Sequence, residues 1–232
     1  MLVSKNPLQL NSKFILFIVM IYLTVSLSAD VIAFKFANFF GFVESGATII
    51  FPLSYVIGDV TCEVYGWNIA MKMVWFMLIC EALFAILITL VIHIPSYPHF
   101  GQFQNEYNDI LNNLWLFVLS GIIANAICSL LNIFFISKWK ILTKGKAFWL
   151  RSIFSTCISE FILVLITITL AFTPIIHANN SIKIFINAYA LEILYAIIFV
   201  FPAQFFVNCL KKLEGIDAYD YGVSYNPFKL TH

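Results

Sequence analysis

Long apolar runs separated by short polar breaks dominate this chain. A helix needs roughly 20 mostly apolar residues to cross a bilayer. Runs of that kind fall at 14–34, 69–94, 110–136, 148–176 and 184–208, with a less uniform one at about 43–65. The pattern predicts an all-α fold, a polytopic membrane bundle of six transmembrane helices forming one domain over 1–232, with a polar tail at 209–232. The first run resembles a signal peptide in its preceding Lys13 and its small-residue end, Ser26–Asp30, but its apolar length exceeds that of a typical signal sequence.

Composition sharpens the membrane reading. Hydrophobic residues make up 62% of the chain and charged residues 11%, against about 25% charged in ordinary soluble domains. The formal net charge of +1 names no polyanionic partner, so nucleic acid is not expected. The distribution of charge matters more. With the N-terminus in the cytoplasm, Lys35 and Lys183 are the only outward-facing members of the 13 Lys and Arg. Basic residues resist translocation, which places both termini in the cytoplasm. Ser137–Arg151 then reads as an inside loop and Pro95–Asp109 as an outside one. The five cysteines lie singly among apolar residues, so they read as packing thiols with no metal or redox role. "TKGKAF" (Thr143–Phe148) lacks the upstream glycine of a phosphate-binding loop, and no cofactor is expected.

Carboxylates at membrane depth are the candidate chemistry. Asp59, Glu63, Glu81, Glu160 and Glu192 fall within or at the ends of predicted spans, and Glu44 near an edge. Each charge at mid-bilayer costs about 2.5–3.5 kcal/mol on insertion scales, so these groups should face the bundle interior. Asp59 and Glu63 share one helical face with Tyr55. Pro52 and Gly58 beside them read as an interrupted span lining a solvent route, the alternative being a kinked helix that ends at the headgroups. Glu44 and Glu81 stand apart from any polar cluster. Further stripes occur at Asn125, Cys128 and Asn132, at Ser152, Ser155, Thr156, Ser159 and Glu160, and at Asn187, Tyr189, Glu192 and Tyr195. Such faces converge on a central polar cavity. No Lys or Arg is predicted deep in a span, so a solute with N–H donors or positive charge is favoured over an anion.

"FPLSYVIGDVTCEVYGWNIAMKMVW" (Phe51–Trp75) resembles the hallmark of the vitamin uptake transporter family, also called the queuosine precursor transporter family. "RSIFSTCISE" (Arg151–Glu160) is similar to that family's fifth helix, and "LKKLEGIDAYDYGVSYNPF" (Leu210–Phe228) to its cytoplasmic tail. The resemblance implies a six-helix inner-membrane importer of deazaguanine precursors of queuosine, or of queuine, for tRNA modification, and not an enzyme. Asp59, Glu63, Tyr65 and Gly66 match the motif position by position. Two positions depart: Glu160 is followed by Phe161 where the family has Thr, and Glu192 stands where it usually has Lys. The expected partners are a purine-like base and the lipid bilayer, with a homodimer left open. Glu160 or Glu192 is expected to grip the guanine-like edge, with Asn132 and Ser155 beside it and Phe51 and Tyr189 stacking on the ring. Asp59 and Glu63 are expected to act in gating or proton coupling. A substrate-capture subunit that borrows a separate ATPase and an intramembrane enzyme using the carboxylate pair are the competing readings.

Overall fold

The computed structural model describes residues 12–33, 35–39, 42–95, 101–112, 114–172 and 178–229. Helix α1 (Ile15–Ile32) leads into an antiparallel hairpin, β1 (Phe36–Phe39) and β2 (Phe42–Ser45). A single-turn α2 (Ala47–Ile50) and α3 (Pro52–Tyr65) follow, then α4 (Trp67–Ile92), α5 (Gly101–Asn112) and α6 (Leu114–Leu142). The chain continues through α7 (Phe148–Thr167), a π-turn at Ile168–Phe172 and α8 (Ala178–Glu214). Six of these segments are long and apolar enough to span a bilayer: Ile15–Ile32, Ala47–Tyr65, Trp67–Ile92, Val118–Leu142, Phe148–Leu170 and Ile182–Glu214.

Several boundaries differ from the sequence expectation. The approach to the second span is a hairpin, not helix. Its edge is pinned where the Gly46 N–H meets the Lys35 carbonyl at 2.7 Å. The interruption of that span falls at Phe51–Pro52, one turn in from its start, and not beside the acids. Pro52 has no N–H to give, yet Phe51 keeps helical dihedrals, so α2 and α3 run on as one span. Of the expected outer loop, residues 96–100 lie outside the described residues, and 101–112 are the helix α5. The fourth span starts later than expected and runs to Leu142, which carries Lys138 and Lys140 inside a helix. It stops where Lys144 and Gly145 turn left-handed and the Gly145 N–H closes on the Lys140 carbonyl at 2.9 Å. The tail is not a free extension, because α8 runs on to Glu214 and the chain beyond it folds back against the bundle.

The second span is the least apolar of the six and the most buried, at 61% of its length. It therefore occupies the centre, packed by α4, α6, α7 and α8. One core joins Tyr22, Cys62, Trp67, Met77 and Ile133; another joins Val60, Val64, Phe148 and Val207. The outer rim is apolar and exposed, as at Phe17 on α1, Leu83 on α4 and Phe205 on α8. That rim faces lipid, which solvates apolar side chains and leaves the polar groups to the interior.

Candidate functional site

The i, i+4 spacing on α3 directs both motif acids inward. Asp59 receives the Asn132 side-chain amide of α6 at 2.5 Å on Oδ1 and the Ser152 hydroxyl of α7 on Oδ2. One turn on, Glu63 sits among three cations. Arg151 Nη1 reaches its Oε2 at 2.8 Å and Lys211 Nζ its Oε1 at 2.7 Å, with Lys140 Nζ 3.7 Å away. The sequence expectation puts Lys140 in an inside loop and Arg151 at the cytoplasmic end of a span. Lys140 and Arg151 are buried, because α6 extends past the expected loop and brings Lys140 under the folded tail. Lys140 also donates to the Glu63 carbonyl at 2.5 Å and to Asp217 and the Ala218 carbonyl, both at 2.6 Å.

The tail closes this end of the bundle. The Ala218 N–H caps the Val64 carbonyl at the end of α3 at 3.0 Å. Both Asp220 oxygens take the Trp67 N–H at 3.1 Å, a carboxylate cap on the first turn of α4. Ser137 donates to Asp220 at 2.6 Å, and the Trp75 indole donates to the Pro227 carbonyl at 2.8 Å. Gly66 makes the tight α3–α4 turn at φ 87°, where a Cβ would meet Asp220 Oδ1 at 2.8 Å. Glu214 receives the Tyr65 hydroxyl at 2.9 Å and the Phe14 N–H at 2.8 Å, so the start of α1 and the end of α8 meet on the same face. Burial pushes the Asp217 carboxyl up, but hydrogen bonds and charge from Lys140 and Lys211 outweigh this and hold it below its usual range.

A cavity of about 90 Å³ opens at the other end, between the hairpin and α1, α2, α6, α7 and α8. Asp30, Glu44, Thr48, Phe51, Asn125 and Glu192 supply its chemistry. Asp30 Oδ2, Glu44 Oε1, Asn125 Oδ1 and Glu192 Oε2 are buried with no hydrogen-bond partner among the described residues. Behind Glu192 lies Glu160, 1% exposed, its carboxyl set against that of Glu192 with no well-formed hydrogen bond from any other described residue. Glu160 and Glu192 face one another, with Glu44 and Asp59 among the charges near them. Buried acceptors left open around a hollow suit a ligand rich in N–H donors or carrying positive charge.

The structure brings together only part of the expected set. Glu192 and Phe51 line the cavity, and Phe51 packs edge-on against Tyr55 with centroids 5.6 Å apart. Glu160 stands one layer behind. Asn132 is engaged by Asp59, and the Ser155 hydroxyl bonds its own helix at the Ser152 carbonyl, 3.0 Å away. Tyr189 does not line the cavity; its hydroxyl meets the Cys157 carbonyl at 3.1 Å and its ring packs with Phe161 and Phe185. Sequence reasoning set Glu44 and Glu81 apart from any polar cluster. Glu44 in fact lines the cavity, and Glu81 faces Asp30 and Asn125. Asp30 went unnoticed, although Tyr22, Ser26 and Asp30 recur every four residues and all three are buried. The tail acids Asp217 and Asp220 carried no periodic signal.

The sequence profile of a family described as "Putative vitamin uptake transporter" matches residues 45–207, more than half of the chain. No curated protein and no solved structure matches.

Proposed function

The chain belongs to the vitamin uptake transporter family, and from that premise we propose that it imports queuosine precursors, deazaguanine bases or queuine, for tRNA modification. It is a multi-pass membrane protein of the vitamin-uptake type. The observation carrying the finer reading is the cavity whose wall offers three carboxylates and an amide and, among the described residues, no Lys or Arg. A deazaguanine presents an N1–H and an exocyclic amine side by side, which one carboxylate accepts as a pair. Glu192 takes that edge with Glu160 behind it, and an aminomethyl cation on the ring pairs with Glu44 or Asp30. Phe51 offers a face for the flat base to stack on.

Asp59 and Glu63 serve as the gate at the far end. Their ties to α6, α7, α8 and the tail keep that end shut while the cavity receives solute. The shut end holds Lys138, Lys140, Lys144, Lys146, Lys211 and Lys212, which supports placing it, with both termini, in the cytoplasm of an inner-membrane protein.

Uptake of a labelled deazaguanine base is measured in a strain unable to make one. Glu192→Gln and Glu160→Gln should each lower uptake at least tenfold, roughly the loss of one charge-assisted pair. Wild-type rates in both would overturn the assignment. Failure of the purified chain to accumulate the base in liposomes would favour a capture subunit that relies on a separate ATPase.

A further inference from the structure

A second buried acidic group lies beside the cavity, between α1, α4 and α6. Glu81 of α4 is 1% exposed, and its neutral polar neighbour is the Asn125 side chain, which leaves both carboxylate oxygens without a well-formed hydrogen bond among the described residues. The charged group it meets is Asp30 of α1, itself buried with one oxygen unpartnered. Asn125 of α6 and Tyr22 of α1 border Glu81, and Ser129 of α6 lies against Tyr22. The other titratable groups facing this corner are Glu44 and Glu192 across the cavity and Tyr55 of α3, next to Tyr22. Among the described residues no cation balances the pair, and the ion pairs all centre on Glu63 and Asp217 at the opposite end.

Two adjacent carboxylates without a counter-ion cannot both stay ionised. At about 4 Å and an effective dielectric of about 20, two unit charges repel by roughly 4 kcal/mol, before any cost of desolvation. The pair must share a proton or enclose a cation. Among the described residues no third carboxylate, thiol or imidazole completes a metal-binding group.

We propose that Asp30 and Glu81 form the proton-binding site of this transporter, loaded from the cavity and linked to solute through Asn125. Asp30 is part of the cavity wall, so a proton passes from cavity water to its carboxylate and on to Glu81. Asn125 also lines the cavity while bordering Glu81, and its Oδ1 is unpartnered. A solute that engages this amide changes the hydrogen bonding offered to Glu81, and with it the pair's hold on the proton. By linkage, the proton changes affinity for solute by the same factor. Asp30 lies ahead of the segment matched by the family profile, so this half of the site is read from this chain alone. The coupling rests on the transport reading, whereas occupancy of the pair by a proton does not.

Two measurements on the full purified chain in liposomes separate those statements. Infrared difference spectra across a pH titration should show the carbonyl stretch of a protonated carboxylic acid, weakened in both Asp30→Asn and Glu81→Gln. An unchanged band in both variants overturns the site, whatever the protein transports. In the second, a labelled deazaguanine base is followed with and without an imposed pH gradient. One proton per solute sustains about tenfold accumulation per pH unit. Glu81→Gln should keep solute exchange between the two sides but lose the accumulation, and Glu81→Asp should restore part of it. Accumulation that survives Glu81→Gln, or that follows sodium and not pH, overturns the coupling. Wild-type liposomes that exchange no solute defeat the transport reading and leave the infrared result to decide the site.

Discussion

Replacing Glu63 by Gln keeps the shape of the side chain and removes the only charge among the described residues that faces Arg151 at hydrogen-bonding distance. The three cations around it would respond differently. Lys140 retains Asp217 and two backbone carbonyls, and Lys211 retains Asp217 at 2.9 Å. Arg151 retains little: its Nη2 already lacks a partner, and its other acceptors are the carbonyls of Ile136 and Lys146, each at 3.3 Å. Its side chain is 2% exposed, so water cannot take over. Removing one member of a buried ion pair costs about 3–5 kcal/mol, against about 0–1 kcal/mol for an exposed pair. Because two of the three cations keep a carboxylate, the lower end applies, about 3 kcal/mol. Reversible unfolding in mixed micelles with a denaturing detergent, followed by tryptophan fluorescence, measures it. Arg151→Met should be costly alone, because it strands Glu63, and the double variant should recover about 1–3 kcal/mol relative to the sum of the singles. A loss below about 1 kcal/mol in Glu63→Gln, or simple additivity in the double variant, would refute a buried, tightly coupled gate.

The tail contacts give two further expectations. Asp217 is held below its usual range, so its contribution to holding the tail is present above its unfolded value and lost as pH falls through the folded one. Acidification should therefore expose the tail to protease, less steeply in Asp217→Asn, and identical profiles would count against the Lys140–Asp217–Lys211 contact. Its side chain is 43% exposed, so screening by solvent keeps the effect modest. Gly66→Ala forces a Cβ onto backbone at φ 87° and ψ 176°, a region open essentially to glycine alone, and against Asp220, at a cost of about 1–3 kcal/mol. It should lower the thermal midpoint in detergent and free the tail together, whereas a lower midpoint with an unchanged tail would place the strain elsewhere.

The bundle itself was legible along the chain because bilayer thickness imposes a length and a polarity on each span, and both are local properties. The inward face of Asp59 and Glu63 was legible for a similar reason, since helical period alone aligns residues four apart. The break beside Pro52 was overestimated: proline at the first turn of a helix costs little. The sequence puts Lys140 in an inside loop and Arg151 at a span end, because basic side chains there ordinarily turn toward the headgroups. Only the fold shows the tail laid over them, where Glu63, Asp217 and backbone carbonyls replace water as their partners.

The same division runs through the cavity. Sequence supplied its acids one span at a time, Glu160 on α7 and Glu192 on α8, but could not say which neighbours each would meet. Asp30 of α1 and Glu81 of α4 are 51 residues apart and meet through packing alone. Composition and period determined that this protein spans a membrane with carboxyl groups inside it. The tertiary structure decided which of those carboxyls gained cations and which were left open around a hollow, because that choice depends on distances between helices, and no local pattern encodes them.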